Sequence, residues 1–311
     1  MPIELSVIIC THNPRCEYLL RVLTALRGQT LSMSNWELLL IDNASGVKLA
    51  DEYDLSWHPC ARHIREGALG LTPARLRGIS EAKAGLLVFV DDDNILELDY
   101  LETAVDICHR HSYLGAWSGT LVPEFETPPP SWTEPFHSFL GIRVVPTETW
   151  ARAPVSQNPA IPYGAGLCVR AEVANAYASA CVGDSRRRGL GRKGTNTVSA
   201  EDIDLAMFSC DMGLGTGLFP ALRLVHLMPR RRLELDYLVR LAEGTDYSLF
   251  VLRYIRDGTI PPKRRRFSVG SFMKWMRRRR LCSAHRSIDK ACERGAQAAF
   301  RQIVEWQAAG K

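Results

Sequence analysis

The 311-residue sequence has no Cys-x-x-Cys pair, no strong excess of either charge, and no window approaching the ~18 uncharged apolar residues that a membrane-spanning helix needs. Its nine cysteines are scattered and odd in number, which suits reduced thiols better than a disulfide framework or a zinc site. The missing apolar run argues against a spanning protein. The opening residues 1–10 also lack the basic region that precedes the apolar core of a secretory leader. The expected location is therefore cytoplasmic. What is present is an ordinary globular composition: 46% hydrophobic and 23% charged residues exclude disorder, collagen and coiled coil as descriptions of the whole chain. The length admits one large α/β domain with an appendage, or two medium domains.

Residues 5–10 and 37–41 are short apolar runs bounded by turn formers, with a helical stretch over 17–27 between them. The pattern recurs as a short strand over 61–64, a helix over 73–84 with Pro73 suited to its first turn, and a buried strand over 85–90. Such alternation predicts a largely parallel sheet covered on both faces, with its ligand crevice at the carboxyl ends of the strands. A helix over 98–111 and a strand over 114–122 follow. The next stretch, from Pro123 to Pro162, holds so many prolines that irregular structure on an acceptor side is expected. A strand over 167–169, a helix over 171–180, a Gly/Arg loop over 183–194, a helix from Ala200 and a strand near 223–228 complete the pattern. No internal repeat is visible. A last helix is expected over 288–306, where Ala291, Gly295 and Ala299 on one side suit close packing, with another subunit as one candidate partner.

Charge is unevenly spread. Lys263 to Arg280 contains nine basic residues and no acidic one, so of the formal +5 this segment carries +9 and leaves −4 for the rest. Val269, Phe272, Met273 and Met276 recur at i, i+3, i+4 and i+7, a narrow apolar stripe on a cationic helix. Reversible attachment to an anionic membrane through 263–281 is one reading, and packing of the stripe on the body of the protein is the other. Interleaved Phe267, Phe272 and Trp275 also suit nucleic acid, but the net acidic remainder and the lack of a nucleic-acid-binding motif argue against it.

The strand over 85–90 runs directly into Asp91-Asp92-Asp93-Asn94. Three adjacent carboxylates repel one another, and a divalent cation is the simplest way to stabilise them. In an extended segment Asp91 and Asp93 project to one side, and all-oxygen ligation suits Mg²⁺ or Mn²⁺ shared with substrate phosphates. The alternative is a solvated acidic turn. A second acidic group, Glu201-Asp202-Ile203-Asp204, fits a helix start capped by Ser199 with Asp202 at the third position, and it equally fits a carboxylate poised to accept a proton. His226, in an apolar run, suits either a core histidine or a metal ligand.

Ser6-Val-Ile-Ile-Cys-Thr-His-Asn13, Leu40-Ile-Asp-Asn-Ala-Ser45, Gly70-Leu-Thr-Pro-Ala-Arg-Leu-Arg-Gly78, Val88-Phe-Val-Asp-Asp-Asp93 and Glu201-Asp-Ile-Asp-Leu205 occur in one order. Over residues 3–245 this order resembles inverting family-two glycosyltransferases of the GT-A type. The stretch from Pro123-Glu-Phe-Glu126 through Gly164-Ala-Gly166 to His226-Leu-Met-Pro229 looks like their bacterial polysaccharide-assembling members. The resemblance implies an α/β fold, a GT-A type three-layer α/β/α sandwich around a mostly parallel sheet, with a helical basic C-terminal extension. It divides the chain into a catalytic domain at 1–245 (nucleotide-binding half 1–112, acceptor-binding half 113–245) and an extension at 246–311.

The resemblance also implies roles. Thr11, Asn13, Asp42, Arg75, Asp91 and Asp92 would bind a nucleotide-sugar donor, with UDP the expected nucleotide. Asp93, with Asp91 and His226, would hold Mn²⁺ or Mg²⁺. Asp202 would be the catalytic base with Glu201 beside it, and Gly164, Ala165 and Gly166 would face a glycan or lipid-linked acceptor. The expected enzyme serves cell-surface polysaccharide biosynthesis at the inner face of the membrane. Ala68 and Leu76 stand where the family often has Asn, and His12 where it often has an aromatic residue; these departures bear on donor identity. Asp91-x-Asp93 also fits a haloacid-dehalogenase-like phosphatase, with Asp91 as nucleophile, but that family carries its acidic pair on the first strand of its core, and here three strands precede it.

Overall fold

The computed structural model describes residues 3–260 and 282–310. Its first third alternates β1 (Leu5–Thr11), α1 (Cys16–Arg27), β2 (Trp36–Asn43), the short α2 (Leu49–Glu52), β3 (Ala61–Glu66), α3 (Leu71–Glu81) and β4 (Leu86–Val90). Then come β5 (Asn94–Leu96), α4 (Tyr100–Arg110), β6 (Leu114–Phe125), β7 (Thr149–Ala151) and β8 (Leu167–Arg170). The chain continues through α5 (Ala171–Gly183), α6 (Ser185–Arg188), α7 (Glu201–Asp211), β9 (Gly215–Met228), α8 (Leu235–Asp257) and α9 (Ser283–Ala309).

The strands form one sheet in the order β3-β2-β1-β4-β8-β6-β9-β5, with β7 also on β9. β3, β2, β1 and β4 are mutually parallel, β6 and β9 run with them, and β8, β5 and β7 oppose their neighbours. The mostly parallel sheet is therefore as expected. Alternation along the central strands explains its two covered faces. Leu5, Val7 and Ile9 of β1 join Leu86, Val88 and Val90 of β4 in a core beneath α1 and α4. Ile8, Leu87 and Phe89 point the other way, into a core with Ala74, Val173, Tyr177 and Leu205 from α3, α5 and α7. α1 buries Leu19, Val22, Leu23 and Leu26, a helical i, i+3, i+4, i+7 stripe.

Several expectations need correction. The proline-rich stretch is not wholly irregular: Ser131–Leu140 is a 3-10 helix containing Pro135, and Thr149–Ala151 is an edge strand. Proline's fixed φ suits a short 3-10 segment. The expected boundary after residue 245 falls inside α8, which runs unbroken to Asp257. Ala291, Gly295 and Ala299 are buried against the chain itself. A Cβ at Gly295 would stand 2.2 Å from the Glu243 carbonyl oxygen, so its missing side chain is what lets α9 approach α8, without another subunit. Ser199 does not cap α7: Ala200 is the N-cap, and the Ser199 N–H donates to Ser248 Oγ at 2.9 Å. The basic run and its stripe, with the membrane expectation built on 263–281, lie outside the described residues. Among the described residues no helix is long and apolar enough to cross a membrane.

Candidate active site

The carboxyl ends of β1 and β4 open into a cleft of about 830 Å³, closed on its far side by the 3-10 helix, residues 158–165, the start of α7 and the turn after β9. Thr11, Asn13, Arg75, Asp91, Asp92, Asp93, Gly164, Ala165, Glu201, Asp202 and His226 all line it. Asp42 and Gly166 do not.

The acidic strand end is a turn, not the extended segment expected. The Asn94 N–H donates to the Asp91 carbonyl at 3.1 Å, and the Asp91 N–H to Asn94 Oδ1 at 3.3 Å. The turn sends the three carboxylates in different directions. Asp91 faces the Arg75 guanidinium at 3.8 Å, Asp92 accepts a hydrogen bond from the Thr11 hydroxyl, and Asp93 turns inward. Burial, helped by Asp93 next to it, pushes the Asp92 carboxyl up to about 7.

Asp93 meets His226 because β5, three residues long, pairs antiparallel with β9 and sets Asn94 opposite His226. The Leu227 N–H donates to the Asp93 carbonyl at 2.8 Å, which fixes the register. His226 Nε2 then lies 3.4 Å from Asp93 Oδ1. Arg232, in the 3-10 turn Arg230–Leu233 after β9, bonds both: one nitrogen reaches Asp93 Oδ2 at 2.8 Å and the other His226 Nε2 at 2.9 Å. A guanidinium can only donate, so His226 accepts at Nε2 and carries its proton on Nδ1, a buried atom without a partner among the described residues. Among the described residues no three His, Cys, Asp or Glu side chains group as a metal cluster; Asp93 and His226 form a two-donor pair.

At the start of α7 the acidic residues again divide. Asp202 Oδ2 accepts the Gly164 N–H at 2.7 Å and Oδ1 the Ile203 N–H at 2.9 Å, which orients the carboxylate at the cleft wall. A Cβ at Gly164 would lie 2.8 Å from that Oδ2 and 2.7 Å from Arg75 Nη2, so only glycine permits the approach. Glu201, 1% exposed, faces Arg75 at 3.2 Å; burial pushes its carboxyl up to about 7, Arg75 offsetting only part. Asp204 is fully buried between Arg187 and Arg256, at 2.6 Å and 2.8 Å.

Other expected residues have local duties. Asn13, at φ +46°, accepts the Gly46 N–H through Oδ1 at 2.9 Å and donates its own N–H to Ser45 Oγ at 3.0 Å. The Asp42 carboxylate accepts the N–H groups of Ser45 and Leu49 and an Arg65 bond at 2.6 Å. Burial raises the Asp42 carboxyl, but these bonds outweigh it and hold the group below its ordinary range. Asp42 thus shapes the 43–49 loop instead of facing the cleft. Gly166, at φ +67°, accepts the Tyr100 hydroxyl at its carbonyl, 2.7 Å away, and anchors the 163–166 loop from behind. Arg232 and Arg143 escaped sequence reasoning. Arg143 stacks on Tyr163 at 3.6 Å and bonds the Ile161 carbonyl, while Arg232 stands in a run of three arginines at 230–232 with no local signal to single it out.

Residues 6–158 match the family model described as "Glycosyl transferase family 2". Polypeptide N-acetylgalactosaminyltransferase 8 of Drosophila melanogaster is 32% identical over 106 residues, which is 33% of this chain and 18% of the relative. The chain thus spans under a fifth of that relative's length. In three dimensions it resembles S. aureus TarS 1-349, with a TM-score of 0.50 at 12% identity over 99% of this chain and 92% of the other. The structure of S. aureus TarS itself matches with a TM-score of 0.50 at 13% identity, over 96% of this chain and 50% of the other. The sheet order and the acidic turn at its carboxyl edge agree with these matches: residues 6–158 are similar to a glycosyl transferase family 2 domain, on an α/β fold similar to that of S. aureus TarS.

Proposed function

We propose that the chain is an inverting glycosyltransferase that moves a sugar from a nucleotide-sugar, with UDP the expected nucleotide, to a hydroxyl of a glycan or lipid-linked acceptor. The observation that carries the reading is the Asp202 carboxylate, fixed at the cleft wall by the Gly164 N–H, facing the same cleft as the acidic turn. In this reading Asp202 takes the acceptor's proton as the acceptor oxygen forms a bond to the anomeric carbon. The bond from that carbon to the diphosphate oxygen breaks on the opposite face, and the nucleoside diphosphate leaves with the electron pair. Thr11, Asp92 and Arg75 line the side where the nucleotide would sit.

Asp93 and His226, with Asp91 at the mouth, are the donor set for Mn²⁺ or Mg²⁺. Two protein donors suit a site that shares its ion with substrate phosphates. Such an ion would supply positive charge against the departing diphosphate. A basic segment at 263–281 suits a peripheral role at an anionic membrane, where lipid-linked acceptors reside.

Calorimetry with a panel of nucleotide-sugars in Mn²⁺ tests the donor side. Binding by the wild type and none by Asp93→Ala is expected, and undiminished wild-type binding in EDTA would sink the metal assignment.

A further inference from the structure

Arg232 is a cleft residue whose present contacts conflict with the role given to its partners. Its two terminal nitrogens occupy Asp93 Oδ2 and His226 Nε2, atoms that a divalent ion would need. A guanidinium has donors only and cannot join a coordination sphere. Arg232 and an ion therefore exclude each other. The arginine is also well placed to leave: its side chain is 19% exposed against 9% for both partners, so it covers them from the cleft side. It sits in a four-residue 3-10 turn between β9 and α8, and a change of side-chain rotamer is the movement that release would require.

We propose that Arg232 is a displaceable resident cation of this site, a latch on Asp93 and His226 that a divalent ion must dislodge. The proposal rests on reading Asp93 and His226 as metal ligands. The physical reason for such a latch is the acidic turn itself. Three neighbouring carboxylates, one of them buried, need compensating charge whenever no ion is bound, and the guanidinium supplies it to Asp93. An ion arriving alone must break two charge-assisted contacts, whereas an ion arriving with a nucleoside diphosphate gains further ligands to offset that cost. Divalent-ion binding should therefore be weak by itself and strengthened by the diphosphate.

The test is Mn²⁺ binding to the metal-free full chain, followed by electron paramagnetic resonance of the free ion, with and without UDP. Arg232→Gln should bind Mn²⁺ at least about tenfold more tightly than the wild type in the absence of UDP, as expected for losing one charged hydrogen-bonded competitor. UDP should improve Mn²⁺ affinity less in the variant than in the wild type. Adding Asp93→Asn to Arg232→Gln should erase the gain. Equal or weaker Mn²⁺ binding by a natively folded Arg232→Gln would overturn the latch. If that variant does not fold, Arg232→Lys, too short to span both atoms, carries the test: tighter binding supports the latch and unchanged binding overturns it. Wild type that binds Mn²⁺ in the presence of UDP while the variants do not differ from it defeats the latch and leaves the metal reading standing. No Mn²⁺ binding by any form, with or without UDP, defeats the metal reading and the latch with it.

Discussion

Two acidic triplets stand beside one cleft, Asp91-Asp92-Asp93 after β4 and Glu201, Asp202 and Asp204 at the start of α7, and they are built differently. The first stands on a turn whose carboxylates meet Arg75, Thr11 and the Arg232–His226 pair. The second stands on a helix, where Glu201 and Asp204 point into the protein toward arginines and Asp202 alone is held by backbone N–H groups at the cleft. Arg75 touches both groups, so the two triplets share one buried cation. The difference shows that adjacency of acids in sequence does not assign their work. Partners from distant segments do, and in the proposed reading Asp202, held by backbone N–H groups, is the carboxylate left to exchange a proton with a substrate.

That contrast can be broken by substitution. Asp202→Asn should lower transfer by about 10² to 10⁴-fold, the range for losing a general base, while donor binding by calorimetry and denaturant stability stay close to wild type. A near wild-type rate would transfer the base role to another group. Asp204→Asn should do the reverse. It leaves Arg187 and Arg256 facing a neutral amide in a fully buried position, and a loss of about 3–5 kcal/mol in chemical denaturation is expected, because removal of one partner strands the other charges. If Asp204→Asn is stable and inactive, the assignments on the two sides of α7 are exchanged.

Much of the fold was legible because its strands are continuous apolar runs. Leu38 to Ile41 and Leu86 to Val90 announce themselves, and Asp91 to Asp93 stand out by following one of them. The candidate site was legible as a set of residues, not as a set of contacts. β5 has only three residues, too few for any periodicity, yet its pairing with β9 brings Asp93 to His226. The Ser199 cap failed because a long-range partner, Ser248, claimed that backbone N–H. Asp42 carried the expected motif, but a tight loop and Arg65 use its oxygens. Arg232 was invisible for a similar reason: nothing local separates it from Arg230 and Arg231, and only the fold carries it over Asp93 Oδ2 and His226 Nε2.

The smallest expected effect concerns the proton occupancy of Glu201. Burial pushes its carboxyl from 4.5 up to about 7, Arg75 offsetting only part of the shift. Between these values the unfolded chain releases the proton while the folded chain keeps it. Rising pH therefore favours unfolding across that window, and the full penalty is present above about 7. Glutamine does not titrate. The stability of Glu201→Gln relative to wild type should accordingly climb by up to about 3 kcal/mol from pH 4.5 to 7 and then level off. Asp92, also shifted upward, is present in both proteins and cancels in the difference to first order. Urea titrations at half-unit pH intervals measure the drift. A flat difference would mean that Glu201 is already ionised against Arg75 in the folded protein. Two carboxylates, Asp91 and Glu201, would then compete for one guanidinium, and the charge that Arg75 lends to the donor side would depend on which of them holds it.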